Sequence, residues 1–322
     1  MKQVTLSKTC LILGGGGFIG AAVADQLVAE GWAVRIFDRP GVRPYRTFAS
    51  HEQVEWVEGE FLNSADVRAA LHGADAVVHL ISTMLPRQSN EAPIADVQSN
   101  VVGSLQLLQE MVLQGVRRIV FTSSGGTVYG RPVQVPIRED HPTQPEVSYG
   151  VCKLMIEKYL YLFSQLHGVQ PISLRIANPY GGRQRIDTAQ GAVAVFLHRA
   201  LHRETVEIWG DGSVVRDYLH VSDVARAILA ALCYDGKHQV INIGAGCGLS
   251  LNGLLYEIET LLNRKVERRY LPGRGFDVPV SVLDTSLAKA ELGWVPSISL
   301  ADGLRLTLAA QGGQHKNSLA SF

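Results

Sequence analysis

The sequence predicts an α/β fold in which a doubly wound parallel sheet carries a smaller, interleaved C-terminal lobe. Through the first half of the chain, short runs rich in β-branched residues alternate with helical patterns, which is typical of βαβ units buried on both faces. A glycine-rich turn, Gly14 to Gly20, joins the first of these runs to the first helical pattern. After Asn178 the pattern loosens into Gly-, Pro- and Arg-containing loops around shorter elements, which indicates the second lobe.

The elements are predicted from the length and spacing of apolar runs. Short runs bounded by turn residues have the length of strands, and apolar residues that recur with the helical period mark the stretches between them. Helices are expected to fill every gap between the early strands. The predicted strands are Thr9–Leu13, Ala33–Phe37, Val54–Glu58, Ala76–Leu80, Arg118–Thr122 and Ile172–Ile176, and the second half adds helices at Gly191–Leu201 and Val221–Leu232 and a strand at Gln239–Ile243.

Composition excludes several classes of protein. Thirty basic residues balance thirty acidic ones, and no Lys/Arg run forms a stripe, so we expect neither a nucleic-acid nor a membrane partner. No segment approaches the length of a membrane span and the first apolar stretch is too short for a signal sequence, which predicts a cytoplasmic protein. The cysteines show no metal-ligand spacing and no His/Asp/Glu cluster occurs, so no metal site is predicted.

The glycine-rich turn has the spacing of a dinucleotide-binding motif. Gly14, Gly17 and Gly20 stand where such a turn needs a tight bend, close approach of the backbone to a pyrophosphate, and close packing of helix on strand. The helix that follows offers N–H groups and the positive end of its dipole to phosphates. Asp38 ends the next strand, where a carboxylate accepts hydrogen bonds from ribose and repels the 2′-phosphate of NADP. NAD is therefore the predicted cofactor, although the neighbouring Arg39 weakens this discrimination slightly.

A nucleotide site in the first half divides the chain into two predicted units. Residues 1–177 with 213–247 are assigned to the dinucleotide-binding domain, and residues 178–212 with 248–310 to a substrate-binding lobe. Residues 311–322 are expected to fray as a flexible tail. No low-complexity linker separates the two units, so we expect them to fold together.

Tyr149 and Lys153 place a phenol and an ammonium four residues apart in a helical pattern. Residues at this spacing share one face of a helix, so the positive charge of Lys153 is expected to favour the ionised phenolate. A tyrosine tuned in this way can act as a general base. Together with the glycine turn, the pair predicts hydride-transfer chemistry.

Ordered motifs along the chain carry a specific resemblance. They are Gly14 to Gly20, Val77-Val78-His79-Leu80, Asn100-Val101-Val102-Gly103, Ser123 to Gly130, Tyr149-x-x-x-Lys153, and Arg175-x-x-Asn178-Pro179-Tyr180-Gly181. With these motifs the chain resembles, from about Thr9 to Gly303, the extended short-chain dehydrogenases/reductases of the nucleotide-sugar epimerase and dehydratase group. The resemblance implies a Rossmann sheet, NAD as the cofactor and a nucleotide-diphosphate sugar as the substrate.

The resemblance also implies roles for individual residues. Tyr149 is implied to be the base, and Lys153 to bind the nicotinamide ribose and lower the tyrosine pKa. Glu60 and Phe61 are implied to flank the adenine, and Asn100 to support the site. The full set implied to bind the cofactor is Gly14, Gly17, Phe18, Ile19, Asp38, Arg39, Glu60, Phe61, Leu80, Ile81, Ser82, Asn100, Lys153 and Pro179.

One position departs from the family pattern. Most relatives carry a catalytic Ser or Thr three residues before the Val of Val128-Tyr129-Gly130, and here that position is Gly125. Ser124, or secondly Thr127, is expected to donate the hydrogen bond to the sugar, and a purely structural turn is the alternative. The segment Gly125-Gly126-Thr127 also offers no acid of the kind that dehydratases and decarboxylases of this group place there, which favours an epimerase.

The second half supplies the expected substrate ligands. The segments around Arg216 and Arg274 resemble those that bind the nucleotide diphosphate, and guanidinium groups suit phosphate oxygens. Asn178 is expected near the same diphosphate. Ser281, four residues after Asp277, corresponds to a position that lines the sugar pocket in similar epimerases. Its small side chain is expected to leave room for an N-acetyl group.

The resulting hypothesis is an NAD-dependent epimerase that inverts C4 of a UDP-hexose or UDP-N-acetylhexosamine through a 4-keto intermediate. The alternatives are a 4-keto-sugar reductase, a 4,6-dehydratase and a catalytically silent NAD-sensing protein. Similar proteins dimerise through a four-helix bundle, so a homodimer is expected. Its apolar stripes are predicted to be Val101, Leu105, Leu108 and Val112 on one helix and Leu154, Tyr161 and Leu162 on the other.

Overall fold

Parallel strands alternate with helices in the first half of the chain, and shorter strands and helices follow in the second half. The computed structural model describes residues 8–84, 86–184, 191–273 and 278–318, and for residues 86, 87 and 311–318 it describes the backbone alone. The described strands are β1 (Thr9–Leu13), β2 (Ala33–Asp38), β3 (Val54–Glu58), β4 (Ala76–His79), β5 (Arg118–Ser124), β6 (Gln170–Ile176), β7 (Asn178–Tyr180), β8 (Val206–Trp209), β9 (Val215–His220), β10 (Val240–Ile243), β11 (Gly248–Ser250), β12 (Arg268–Leu271) and β13 (Val280–Ser281). The described helices are α1 (Phe18–Ala29), α2 (Ser64–Leu71), α3 (Pro86–Glu91), α4 (Pro93–Asp96), α5 (Gly103–Gln114), α6 (Ser148–His167), α7 (Ala192–Leu201), α8 (Val221–Leu232), α9 (Leu251–Leu262), α10 (Ser286–Leu292) and α11 (Leu300–Ser318), and a π-helical segment (Val97–Val102) connects α4 to α5.

Seven of the described strands form one parallel sheet in the order β3-β2-β1-β4-β5-β6-β10. The order reverses between β1 and β4, and at such a reversal a crevice opens at the carboxyl ends of the strands. All of β4, from Ala76 to His79, is buried. A parallel strand covered on both faces favours apolar side chains, which accounts for Ala76, Val77 and Val78. The buried His79 at its end hydrogen-bonds Ser104 through Nε2 at 2.8 Å.

Helices cover both faces of this sheet. Ile12 of β1 belongs to the same apolar core as Val23 of α1 and Ile228 of α8. The preceding residue, Leu11, belongs to a second core that includes Ile156 of α6. Because successive side chains of a strand point to opposite faces, α6 lies on the face opposite α1 and α8.

A smaller group of strands forms the second lobe. β9 lies between β11 and β13 and also pairs with β7, while β8 pairs with β12. Helices α7, α9 and α11 contribute Leu197, Leu254 and Leu304 to its apolar core. Within residues 213–247, β9 pairs with lobe strands, while β10 pairs with β6 of the seven-stranded sheet. The division of the chain between the two units stays a prediction.

The expectation of a helix in every gap is wrong between β2 and β3. Residues 39–53 form turns and extended segments there. Pro40, Gly41 and Pro44 oppose a continuous helix, because proline removes a donor and glycine costs backbone entropy. The segment is instead tied to Asp25 of α1, whose Oδ1 accepts hydrogen bonds from the Tyr45 hydroxyl at 3.0 Å and from Nε of Arg46 at 2.8 Å.

The backbone of α11 is helical to Ser318. The fraying expected for residues 311–322 stays a prediction. Among the described helices, none is long and apolar enough to cross a bilayer.

Candidate active site

The glycine turn lies at the carboxyl end of β1, where the strand order reverses. Gly14 has a φ of +82°, and its N–H donates to the carbonyl oxygen of Phe37 on the neighbouring strand at 2.8 Å. A Cβ atom at Gly20 would lie 2.4 Å from the Gly14 carbonyl oxygen. Gly14 is therefore required by backbone conformation and Gly20 by close packing of α1 on the turn.

The amino terminus of α1 is open to a ligand in the part of the chain that the structure describes. Gly17 occupies the N-cap, is exposed and provides no side-chain cap for the first turn, which begins with Phe18 and Ile19. The first N–H groups of a helix have no intrahelical partner and carry the positive end of its dipole. This cradle fits the diphosphate of a dinucleotide.

Asp38 is fixed beside this turn at the end of β2. Its Oδ2 accepts the N–H of Gly16 at 3.0 Å and its Oδ1 accepts the N–H of Arg39 at 2.9 Å. A carboxylate oriented by two backbone donors retains lone pairs for ribose hydroxyls. The residues of the turn therefore fit an NAD adenosine, and Arg39 lies exposed next to it.

Tyr149 and Lys153 lie on α6, beside the end of β5. The Tyr149 side chain is half-buried and interacts with Ser82, in the loop that follows β4. Lys153 is buried, and its Nζ donates to the Thr122 carbonyl oxygen at 2.9 Å. The same Nζ lies 5.6 Å from the centroid of the Tyr149 ring. The predicted shared helix face thus brings the phenol and the ammonium together.

The pKa values of Tyr149 and Lys153 both depend on burial. Burial raises the pKa of Tyr149 to about 12, although the Ser82 interaction lowers it in part. Burial also lowers the pKa of Lys153 to about 8, against the opposing influence of Asp96, Cys152 and Glu157. In the chain alone, desolvation is therefore the largest influence on the Tyr149 pKa, and the role of Lys153 in lowering it stays a prediction.

Gly125, which stands where most relatives carry Ser or Thr, lies in the turn after β5. A Cβ atom there would lie 2.5 Å from Cδ1 of the buried Leu283, so a side chain at this position would require Leu283 to shift. Farther along the turn, Oγ1 of Thr127 is buried and has no hydrogen-bond partner among the described residues. The Thr127 carbonyl oxygen lies 2.7 Å from where a Cβ of Gly150 would stand, next to Tyr149. The turn therefore packs directly on the first turn of α6.

Comparison with known proteins decides the family. The model of the NAD dependent epimerase/dehydratase family matches residues 10–244. The chain belongs to this family. A UDP-glucose 4-epimerase from Thermotoga maritima, solved with UDP-glucose, has a TM-score of 0.90 and 35% identity, covering 95% of this chain and 99% of that one. A UDP-glucose 4-epimerase from Thermus thermophilus, solved with NAD, has a TM-score of 0.85 and 30% identity, covering 95% and 99%.

A relative with another activity is also similar. A dTDP-4-dehydro-6-deoxyglucose reductase from Escherichia coli is 36% identical over 310 residues, which cover 91% of this chain and 94% of the relative. Membership in the NAD-dependent epimerase/dehydratase family confirms the resemblance, the fold class, the enzyme class and the NAD dependence predicted from the sequence.

The other residues predicted to bind the cofactor differ in how far their side chains are exposed to solvent. Leu80 and Ile81 are half-buried beside the glycine turn, and the backbone nitrogen of Ile81 lies 3.4 Å from where a Cβ of Gly14 would stand. Glu60 is exposed. The Phe61 side chain is buried against His79, with ring centroids 5.3 Å apart, so only its backbone can flank an adenine.

Three of the residues predicted to bind substrate, Asn178, Arg216 and Ser281, lie on β9 or on strands paired with it. Nδ2 of Asn178 donates to the Asp217 carbonyl oxygen at 3.2 Å, and Pro179 follows in β7. Nη1 of Arg216 donates to the carbonyl oxygens of Val215 and Val278 at 2.9 and 2.6 Å. Ser281 is buried on β13, in register with Arg216. Arg274 lies outside the described residues, so its role stays a prediction.

Sequence reasoning missed two buried carboxylates. Asp217 accepts backbone N–H groups of Ala245, Gly246 and Leu283 at 2.7, 3.2 and 3.3 Å, and burial raises its pKa to about 6. Asp96 is fully buried next to α6. An isolated aspartate in a sequence predicts a surface position, so no local signal identifies either one. Among the described residues, no cluster of His, Cys, Asp and Glu could hold a metal ion.

Proposed function

We propose that this protein is an NAD-dependent 4-epimerase of a nucleotide-diphosphate sugar, either a UDP-hexose or a UDP-N-acetylhexosamine, acting through a 4-keto intermediate. The observation that carries the proposal is the Tyr149 phenol, half-buried against Ser82 and beside Lys153, at the edge of the sheet where the glycine turn lies. Two similar solved structures are UDP-glucose 4-epimerases, which supports the choice of substrate class.

The chain would hold NAD through its glycine turn, the first turn of α1 and Asp38. When bound, NAD supplies the acceptor and donor of the electron pair at the sugar carbon. Lys153 would hydrogen-bond the ribose beside the nicotinamide, and the bound cofactor's positive charge would oppose the effect of burial on the pKa of Tyr149. Tyr149 would then remove the proton from the sugar hydroxyl and return it when the ketone is reduced.

Strand geometry favours Thr127 over Ser124 as the third catalytic group. Ser123 of β5 donates its hydroxyl to Oε1 of Glu157 on α6 at 2.5 Å, so Ser123 faces the helix that carries Tyr149. Ser124 is the next residue of the strand and therefore faces the opposite side. Thr127 lies on the turn that packs on α6, and its buried hydroxyl has no partner among the described residues. In this proposal Thr127 donates the hydrogen bond to the reacting sugar oxygen.

The reductase from Escherichia coli supports a second candidate, a nucleotide-sugar 4-keto reductase. A reductase must exchange its cofactor after each turnover, whereas an epimerase regenerates NAD and retains it. A 4,6-dehydratase is less well supported, because residues 124–127 carry no acid. The intact Tyr149/Lys153 pair opposes a role limited to NAD sensing.

A homodimer and a cytoplasmic location belong to the same proposal. Leu113, Tyr161, Leu162 and Leu166 of α5 and α6 are exposed, which supports pairing of these helices with a second copy. Val101 and Leu108, predicted for the same stripe, are buried in their own subunit's core instead. All four cysteines are free, two of them exposed, which suits a reducing compartment.

Two measurements test the proposed activity. Mass spectrometry of the nucleotide released on denaturing the purified protein is expected to find NAD. NMR of a UDP-hexose panel is expected to show C4 inversion without added cofactor. Turnover of 4-keto sugars that requires reduced nicotinamide, with no C4 inversion, would establish the reductase instead.

A further inference from the structure

Asp96 is a fully buried carboxylate at the point where α4 passes into the π-helical segment. Its Oδ1 accepts Nδ2 of Asn100 at 2.7 Å. Its Oδ2 accepts the Ser148 hydroxyl at 2.9 Å, the Cys152 thiol at 3.3 Å and the Ser89 hydroxyl in a short hydrogen bond. All four donors are uncharged, so the carboxylate is buried among neutral hydrogen-bonding groups.

These contacts surround the turn of α6 that carries the catalytic pair. Ser148 directly precedes Tyr149, and Cys152 directly precedes Lys153. Since the two donors are one helical turn apart, one carboxylate oxygen holds the first turn of α6 at both of its ends. A change in Asp96 would therefore displace Tyr149 and Lys153 together.

The same carboxylate reaches the other side of the phenol through Asn100. Nδ2 of Asn100 binds Asp96, while its Oδ1 accepts the N–H of Thr83 at 3.0 Å. Thr83 follows Ser82, which interacts with the Tyr149 hydroxyl. Asp96 thus links the helix that carries Tyr149 to the loop that contacts its hydroxyl. Asn100 lies in the π-helical segment Val97–Val102, and such segments occur frequently at functional sites.

Asp96 also balances the charge of Lys153. Two carboxylates influence that buried ammonium, Asp96 and Glu157, and Asp96 has the larger effect. Both oxygens of Glu157 are engaged by Arg175, with Nε to Oε1 at 3.0 Å and Nη2 to Oε2 at 2.7 Å. Asp96 forms no ion pair with any described side chain. A buried charge is costly unless it is compensated, and Asp96 favours the charged form of Lys153.

We propose that Asp96 is a positioning residue of the active site, which fixes the first turn of α6 against the Ser82 loop and supplies the negative charge that keeps the buried Lys153 ammonium in place. The inference rests on the proposed function in taking Tyr149 and Lys153 as the catalytic pair. It adds the Asp96 carboxylate to an active site that the tyrosine–lysine motif alone does not describe.

Asp96→Asn tests the proposal, since it keeps the size of the side chain, removes the charge and replaces one of the two acceptor oxygens with a donor. We expect kcat to fall roughly tenfold or more with KM nearly unchanged, because misplaced catalytic groups slow the chemical step. Removing a negative charge disfavours the protonated forms of Tyr149 and Lys153, so both limbs of the pH profile of kcat should move to lower pH. Glu157 and His79 are the other titratable groups near Lys153 that stay as they are. The Cys152 thiol donates to Asp96, so loss of the charge should lower the pKa of Cys152 as well.

Asp223→Asn is the matched control. Asp223 is equally buried but is ion-paired with Arg226, and it accepts the N–H groups of Ser297 and Ile298 at 3.1 and 3.0 Å. It forms no hydrogen bond or ion pair with either residue of the catalytic pair, both of which the structure describes. Asp223→Asn should lower thermal stability and leave the pH profile unmoved. If Asp96→Asn behaves in the same way, Asp96 is merely structural and the proposal is overturned.

A titration independent of turnover separates this proposal from the assigned activity. The difference in tyrosinate absorbance between the protein and Tyr149→Phe reports ionisation of this phenol even if no sugar reacts. Asp96→Asn should move that ionisation to lower pH, and an unmoved titration would overturn the proposal. If Asp96→Asn does not fold, the double variant Ser148→Ala/Cys152→Ala keeps the charge and removes its hold on α6, and it should lower kcat severalfold with KM retained. An unchanged kcat in that variant would contradict the positioning role.

Discussion

At the scale of single residues, Tyr149 carries the chemistry proposed for this protein. Tyr149→Phe keeps the ring and removes the titrating hydroxyl, so turnover should fall by about 10²–10⁴. NAD content should be unchanged, because the glycine turn and Asp38 are untouched. Steady-state kinetics with quantified bound NAD measure both effects. Tyr256→Phe, at an exposed position of α9, is the control and should retain full turnover.

The side chain of Thr127 should matter more than that of Ser124. Thr127→Val removes the buried hydroxyl while keeping the shape, and the lost hydrogen bond to a charged transition state should lower kcat roughly tenfold or more. Thr127→Ser should restore most of the rate. Ser124→Ala should remain close to the parent enzyme, because Ser124 faces away from α6. A larger loss in Ser124→Ala than in Thr127→Val would reverse this assignment.

Ser281 is predicted to set tolerance for an N-acetyl group. The small side chain is buried on β13 opposite Arg216, the predicted phosphate ligand. Ser281→Tyr should reduce turnover of UDP-N-acetylglucosamine far more than that of UDP-glucose, since overfilling a tight pocket penalises the larger ligand selectively. Ser281→Ala should leave the ratio of the two rates unchanged. Equal losses on both sugars in the Tyr variant would show that Ser281 does not line the pocket.

At the scale of elements, the exposed apolar surface of α5 and α6 needs a partner. Leu162→Glu places a charge on this surface without touching the core, because the parent side chain is 43% exposed. We expect light scattering at micromolar concentration to find a dimer for the parent and a monomer for the variant. Leu306→Glu, on α11 at 51% exposure, should not change the mass. A monomeric parent protein would contradict the dimer proposal.

Elements were predictable where local sequence determines them. The prediction of β1, β3 and α8 matches the structure at both ends, because each is a short apolar or amphipathic run. The segment between β2 and β3 was mispredicted as helical even though its prolines and glycine oppose a helix. Its tie to Asp25 depends on a contact with α1, which local patterns do not contain.

At the scale of the whole molecule, the glycine turn, Asp38 and the Tyr149/Lys153 spacing were all readable from the sequence, because each is encoded within a few residues. Properties that depend on burial and long-range contacts were not. The raised pKa of Tyr149 follows from desolvation, and Asp96 reaches α6 from a segment more than fifty residues earlier in the chain. The choice between Ser124 and Thr127 likewise depends on which face of β5 packs on α6.

The central claim is that the same carbon loses and regains its hydrogen within one active site. UDP-glucose deuterated at C4 tests this directly when its conversion is followed by NMR in ordinary water with no added cofactor. The account predicts UDP-galactose that retains deuterium at C4. Loss of the label to solvent, its appearance at another carbon, or conversion only with added reduced nicotinamide would contradict the account.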